Sequence, residues 1–161
     1  MKPLSIQTHT ASDPGFAVNS HLLMSENDAI LVDAQFTRSE AKRVGDMVKT
    51  SGRNLKMIYV THSHPDHYLG LEILTKEFPD AIVFSTKDVA AYIKNTGQNY
   101  IAQWKPIYKD DLADSFIVPQ VIDSSELKLG GERIRIIELT LGESESSSAL
   151  YIPSMKVTCS W

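Results

Sequence analysis

Thr61-His62-Ser63-His64-Pro65-Asp66-His67 follows directly on the apolar run Lys56–Val60 and carries three of the five histidines in the chain. A His-x-His-x-Asp-His pattern arises in shuffled sequence with a chance of roughly a few in ten thousand, so the cluster reads as a site. In an extended segment residues i and i+2 point the same way about 6.6 Å apart, which lets the imidazoles of His62 and His64 converge on one ion. Pro65 turns His64 away from helical angles and suits the start of a helix, placing Asp66 and His67 together at its N-terminal end as a second pair. Neutral imidazole and carboxylate are ligands that Zn²⁺ accepts, and water held on such an ion is acidified to a pKa near 7. A plain strand-to-helix loop, with Asp66 as its cap, would need the aspartate but not three histidines.

Outward from the cluster, the runs Phe16–Ser25 and Ala29–Ala34 flank the turn-forming Glu26-Asn27-Asp28 and predict a hairpin. Thr37-Arg38-Ser39-Glu40 is a capping box. Ala41, Val44, Met47 and Val48 recur behind it at helical spacing until Ser51-Gly52. Lys56–Val60 is a buried strand, and Leu71, Leu74 and Phe78 mark a second amphipathic helix ending at Pro79. Ala81–Phe84 is a further strand. Ser85–Asp88 opens a helix bearing Val89, Ala90 and Ile93, with Gly97 as its expected end. Beyond Pro119, apolar runs at 121–122, 127–129, 134–139, 149–152 and 157–158 alternate with glycine- and serine-rich turns, the texture of a strand meander. Alternating strand and helix followed by strands predicts an α/β (α+β layered) domain with helices covering a sheet or sandwich.

Composition limits the partners. The 161 residues are 42% hydrophobic and 22% charged, the profile of one globular domain. A formal net charge of -4 gives no reason to expect nucleic acid or an anionic membrane surface. The single cysteine, Cys159, forms no internal disulfide. Met1–Thr10 lacks the apolar core of a signal peptide and no run approaches a membrane span, so the expected location is cytoplasmic and the expected partner a small-molecule substrate.

THSHPDHYLG, residues 61–70, resembles the signature of the metallo-β-lactamase superfamily, largely zinc-dependent hydrolases with an αββα sandwich. The resemblance extends over essentially the whole chain, through the strand ending Leu31-Val32-Asp33, the helix from Thr37 and the strand Leu150-Tyr151-Ile152-Pro153. It implies that His62 and His64 serve a first metal and Asp66 and His67 a second, with Asp66 also orienting the nucleophilic water. Asp33 would support these ligands from behind. The family's third histidine for the first metal falls in a loop that here reads Gly142-Glu143-Ser144-Glu145, making Glu143 the corresponding ligand. His9 and His21 match no family ligand.

The family's later Gly-Asp turn and last histidine have no counterpart before Trp161. Measured against the resemblance, residues 1–161 form a single domain incomplete at its C-terminus, the front portion of the sandwich. The expected consequences are one or two Zn²⁺ sites with ligands missing, and self-association through uncovered sandwich surface. Hydrolysis of an ester, thioester, lactone or phosphodiester is the leading expectation. A non-catalytic fragment binding at most one metal is its first rival. The family's di-iron redox branch is the second; it tends to carry glutamate where this chain has His64.

Overall fold

The computed structural model describes residues 3–139 and 146–160. The turn at Glu26-Asn27-Asp28 joins β2 (Asn19–Met24) to β3 (Asp28–Val32), and β1 (Ser5–Thr10) pairs antiparallel with β2 outside them. The first strand of the predicted hairpin begins later than its apolar run. Asp13–Gly15 is a 3-10 turn, and Phe16 and Ala17 both take left-handed backbone angles. From β3 the sheet continues in parallel through β4 (Asn54–Tyr59), β5 (Ile82–Ser85) and β6 (Gln120–Val121). A second, antiparallel sheet is the predicted meander: β7 (Glu126–Leu129), β8 (Glu132–Leu139), β9 (Ser147–Ile152) and β10 (Val157–Cys159).

Period-two alternation sorts the first sheet into two cores. Leu22 and Leu31 join Val44, Val48, Leu71, Leu74 and Ile93 of the helices, while Leu23, Ile30, Val32 and Tyr59 meet Ile134, Leu150 and Ile152 of the second sheet. Ala29–Val32 is buried on both faces and therefore reads as a continuous apolar run. The layers are helix, sheet, sheet. All three helices, α1 (Arg38–Ser51), α2 (Leu71–Glu77) and α3 (Lys87–Tyr108), contribute to the first core.

Two expectations are corrected. The helix opened by Ser85–Asp88 does not end at Gly97 but runs 22 residues to Tyr108. Gly97 is a contact glycine: a Cβ there would sit 2.5 Å from the Phe116 ring. Ile101, Trp104 and Tyr108 continue the packed face beyond it. The helix expected from Pro65 is a 3-10 turn over Pro65–His67, and α2 starts only at Leu71.

Only half of the capping box forms. The Glu40 backbone N–H donates to Thr37 Oγ1, but the Glu40 carboxylate accepts instead from the Ser12 hydroxyl and from Arg43, with His9 Nε2 2.7 Å away. Burial pushes the Glu40 carboxyl up, but the Ser12, His9 and Arg43 contacts outweigh it and hold it below its ordinary value of 4.5. Because the folded-state value is the lower one, the stabilisation is complete above about pH 4.5 and disappears as pH falls through the folded-state value. Glu40→Gln is expected to cost about 1–2 kcal/mol at neutral pH and to flatten that acid limb in urea titrations run between about pH 5 and pH 3. A variant with the wild-type slope would remove this assignment.

Candidate metal centre

The parallel strands place the site. Asp33 stands immediately after β3 and the Thr61–His67 loop one residue beyond β4, at the carboxyl ends where ligands of α/β sheets collect. Three backbone bonds join the two segments: Asp33 N–H to Tyr59 O, Ala34 N–H to His67 O and Gly70 N–H to Gln35 O. Asp33 and Gln35 both adopt positive φ, 63° and 73°, so the turn carries backbone strain that its surroundings must enforce.

Asp33 is fully buried and uses both carboxylate oxygens. Oδ1 accepts from the Thr61 N–H at 2.8 Å, and Oδ2 accepts from the Thr61 hydroxyl at 2.7 Å. His67 Nδ1 lies 2.8 Å from the same Oδ2. A carboxylate accepts, so Nδ1 carries a proton here and Nε2 is the nitrogen left to face the rest of the site. That Nε2 is 3.5 Å from Asp66 Oδ2. The sequence-predicted support residue thus sits directly behind one of the predicted ligands.

His62, 1% exposed, packs its ring 3.9 Å from that of His67 and 4.9 Å from that of His64, centroid to centroid. Burial, reinforced by His67 and His64 and opposed by Asp33, pushes the His62 imidazole down to about 3. It is neutral at physiological pH, the form a metal ligand requires. His64 and Asp66 are partly exposed, whereas His67 is buried, so the four residues form one patch with a buried floor and an open rim. As the side chains stand, no group of three His, Cys, Asp or Glu among the described residues converges closely enough to hold an ion. The donor set nevertheless fits a divalent cation in its chemistry: one imidazole neutral, a second fixed in tautomer by a buried carboxylate, a third adjoining, and a carboxylate beside them. Glu143, the other predicted ligand, lies outside the described residues. His9 and His21 lie on β1 and β2, in hydrogen bonds with Glu40 and Thr8.

Sequence reasoning missed the second sheet's part. Ser148 of β9 donates both its N–H and its hydroxyl to Thr61 O, and the Tyr59 hydroxyl lies 2.9 Å from Ser148 Oγ. Ser147 forms an isolated antiparallel bridge with His62. The loop of candidate ligands is thereby tied to the second sheet. The signal available was Ser146-Ser147-Ser148 at the head of a strand, which read only as turn chemistry.

The profile of the metallo-beta-lactamase superfamily matches residues 13–158. The chain belongs to this superfamily. It is similar to the uncharacterized protein YobT of Bacillus subtilis (strain 168), 36% identical over 74 residues, which make up 45% of this chain and 31% of that protein. A hydroxyacylglutathione hydrolase of Francisella philomiragia subsp. philomiragia is 34% identical over 68 residues, 42% of this chain and 25% of that enzyme. The matched segments therefore span less than a third of the length of these relatives. In structure, the BLEG-1 B3 metallo-beta-lactamase superposes with a TM-score of 0.71 at 14% identity, covering 96% of this chain and 70% of that one, and shows the shared fold. Among the described residues no helix is long and apolar enough to cross a membrane.

Proposed function

We propose that this superfamily member is a zinc-dependent hydrolase whose metal would be held by His62, His64, Asp66 and His67. The observation that carries the reading is the grip of buried Asp33 on His67 Nδ1, which leaves His67 Nε2 facing Asp66 and beside the neutral His62. The relative named hydroxyacylglutathione hydrolase supports hydrolysis as the reaction class. Zinc, when bound, supplies Lewis acidity, polarising a carbonyl or phosphoryl oxygen and bringing the pKa of water to about 7. The chain's own residues do the rest. Asp66 accepts a hydrogen bond from the attacking water and aims it, Asp33 keeps His67 in one tautomer, and the Ser148–Thr61 bonds hold the backbone that carries His62. Esters, thioesters, lactones and phosphodiesters are the candidate substrates, with Glu143 a candidate further ligand.

Metal analysis of purified protein, followed by hydrolysis of generic esters and phosphodiesters with added Zn²⁺, tests this reading. His62→Ala is expected to weaken zinc binding by at least about 10–100-fold and to bring hydrolysis to the buffer rate. Equal rates in the two proteins would favour the non-catalytic rival. Iron in the purified chain would favour the redox branch.

A further inference from the structure

A cavity of about 320 Å³ opens where β6 and the start of α3 meet β8, and none of His62, His64, Asp66 and His67 lines it. Thr86 is its buried polar wall. This residue, 8% exposed, takes the N-cap position of α3 with extended backbone, yet its hydroxyl caps no backbone N–H and bonds to no other described residue. An N-cap threonine ordinarily accepts from the second or third amide of its helix. Here the first bonded amide is that of Ala90, which donates to Thr86 O, so the N–H groups of Lys87, Asp88 and Val89 have no acceptor among the described residues. The 22 residues of α3 put partial positive charge at this end, and the Lys87 ammonium, also on the cavity, adds a full one. Asp88 of the same turn stands outside the walls. An unbonded buried hydroxyl, open amides and an ammonium together fit a carboxylate.

A simple anion would not satisfy the other walls. Asp123, two residues beyond β6, and Glu138 of β8 bring carboxylates to the same cavity. Neither they nor Lys87 forms an ion pair among the described residues, so charges of both signs share one space without neutralising each other. A ligand of one sign meets repulsion from part of the wall, whereas a ligand carrying both signs can place each against its opposite. Part of the remaining wall is aliphatic. Val121, 43% exposed, and the half-buried Ile122 and Ile136 offer surface that a short alkyl side chain can cover. The volume lies at the lower limit of ligand pockets, about 300–1,000 Å³, which suits a molecule the size of one amino acid.

We propose that this cavity is a second binding site, for a small zwitterion of the α-amino acid class with an aliphatic side chain. The carboxylate accepts from the Thr86 hydroxyl, the first-turn amides of α3 and Lys87, and the ammonium donates to Asp123 and Glu138. The site goes beyond the hydrolase reading and uses none of its residues.

Ligand-observed NMR titrations of the full chain at neutral pH test it with L-leucine, with 4-methylpentanoate, which lacks the ammonium, and with L-leucinamide, which lacks the carboxylate. Leucine is expected to bind saturably to the wild type and to His62→Ala alike. Each analogue is expected to bind at least about tenfold more weakly, the value of a charge-assisted hydrogen bond left unmade. Thr86→Val removes the hydroxyl at nearly constant volume and should weaken leucine about tenfold. Lys87→Gln and Glu138→Gln, both on exposed residues, should weaken it by a similar factor while leaving the melting temperature unchanged. Absence of saturable leucine binding, an analogue that binds as tightly as leucine, indifference to the two exposed substitutions, or loss of binding in His62→Ala would overturn the site.

Discussion

Asp33→Ala is expected to lower folding stability by about 3–5 kcal/mol, the cost of removing one partner from a buried charged network. Three donors, the Thr61 N–H, the Thr61 hydroxyl and His67 Nδ1–H, lose their acceptor in a place water does not reach. Alanine also inherits the left-handed backbone angle of 63° without the side-chain hydrogen bonds that hold it there. Two further substitutions apportion the effect. Asp33→Gly relieves the backbone, recovering about 1 kcal/mol relative to alanine. Asp33→Asn tolerates the left-handed angle and keeps one acceptor, so it should be the mildest of the three. Urea unfolding at constant m-value reads the order alanine, glycine, asparagine from worst to best. On the proposed zinc reading, each variant should also bind zinc about 10–100-fold more weakly, because His67 loses its contact with the Asp33 carboxylate. An alanine variant within about 1 kcal/mol of wild type would mean that Asp33 does not organise the site.

The second large effect is expected at Gly70, at the end of the ligand-bearing loop. A Cβ at this position would lie 1.9 Å from Ala34 O and 2.8 Å from Ala41 Cβ. Neither neighbour has room to withdraw: the backbone around Ala34 is fixed by the bonds of Gly70 N–H to Gln35 O and of Ala34 N–H to His67 O, and Ala41 is fully buried on α1. Gly70→Ala should therefore cost about 3 kcal/mol or more, the upper end of overpacking penalties. Gly97→Ala supplies the contrast, because the group in its way is the side chain of Phe116, which can shift, and a loss of about 1 kcal/mol is expected. Thermal melts of the two variants measure the difference. Equal losses would show that the backbone approach at Gly70 is no tighter than a ring contact.

How much of this was legible follows from the range of each interaction. The run Ala29–Val32, the helix after Thr37 and the meander beyond Pro119 announce themselves through periodicity and turn chemistry, which act over a few residues. Gly97 misled for the same local reason, since a glycine in a helical pattern looks like a stop until Phe116, 19 positions on, is found lying against it. β1 carries no such signal because all six of its residues are exposed or half-buried, leaving no apolar alternation to read. Glu40 was read as the partner of the helix start, its neighbour in sequence; in the fold His9 and Ser12 compete for it and prevail.

The candidate site divides along the same line. The local sequence sufficed for the superfamily and for the choice of candidate donors, because His62, His64, Asp66 and His67 occupy one short loop whose spacing follows from extended backbone and a proline. Their arrangement came from residues distant in the chain. Asp33 reaches Thr61 and His67 across 28 and 34 positions, Ser148 reaches Thr61 across 87, and Phe16 meets Trp104 across 88. Hydrogen bonds and ring contacts of that span exist only once both sheets and α3 have packed. A sequence therefore displays the candidate ligands of such a centre, while the grip of Asp33 on His67, the neutrality of His62 and the packing of Phe16 on Trp104 are consequences of the tertiary fold.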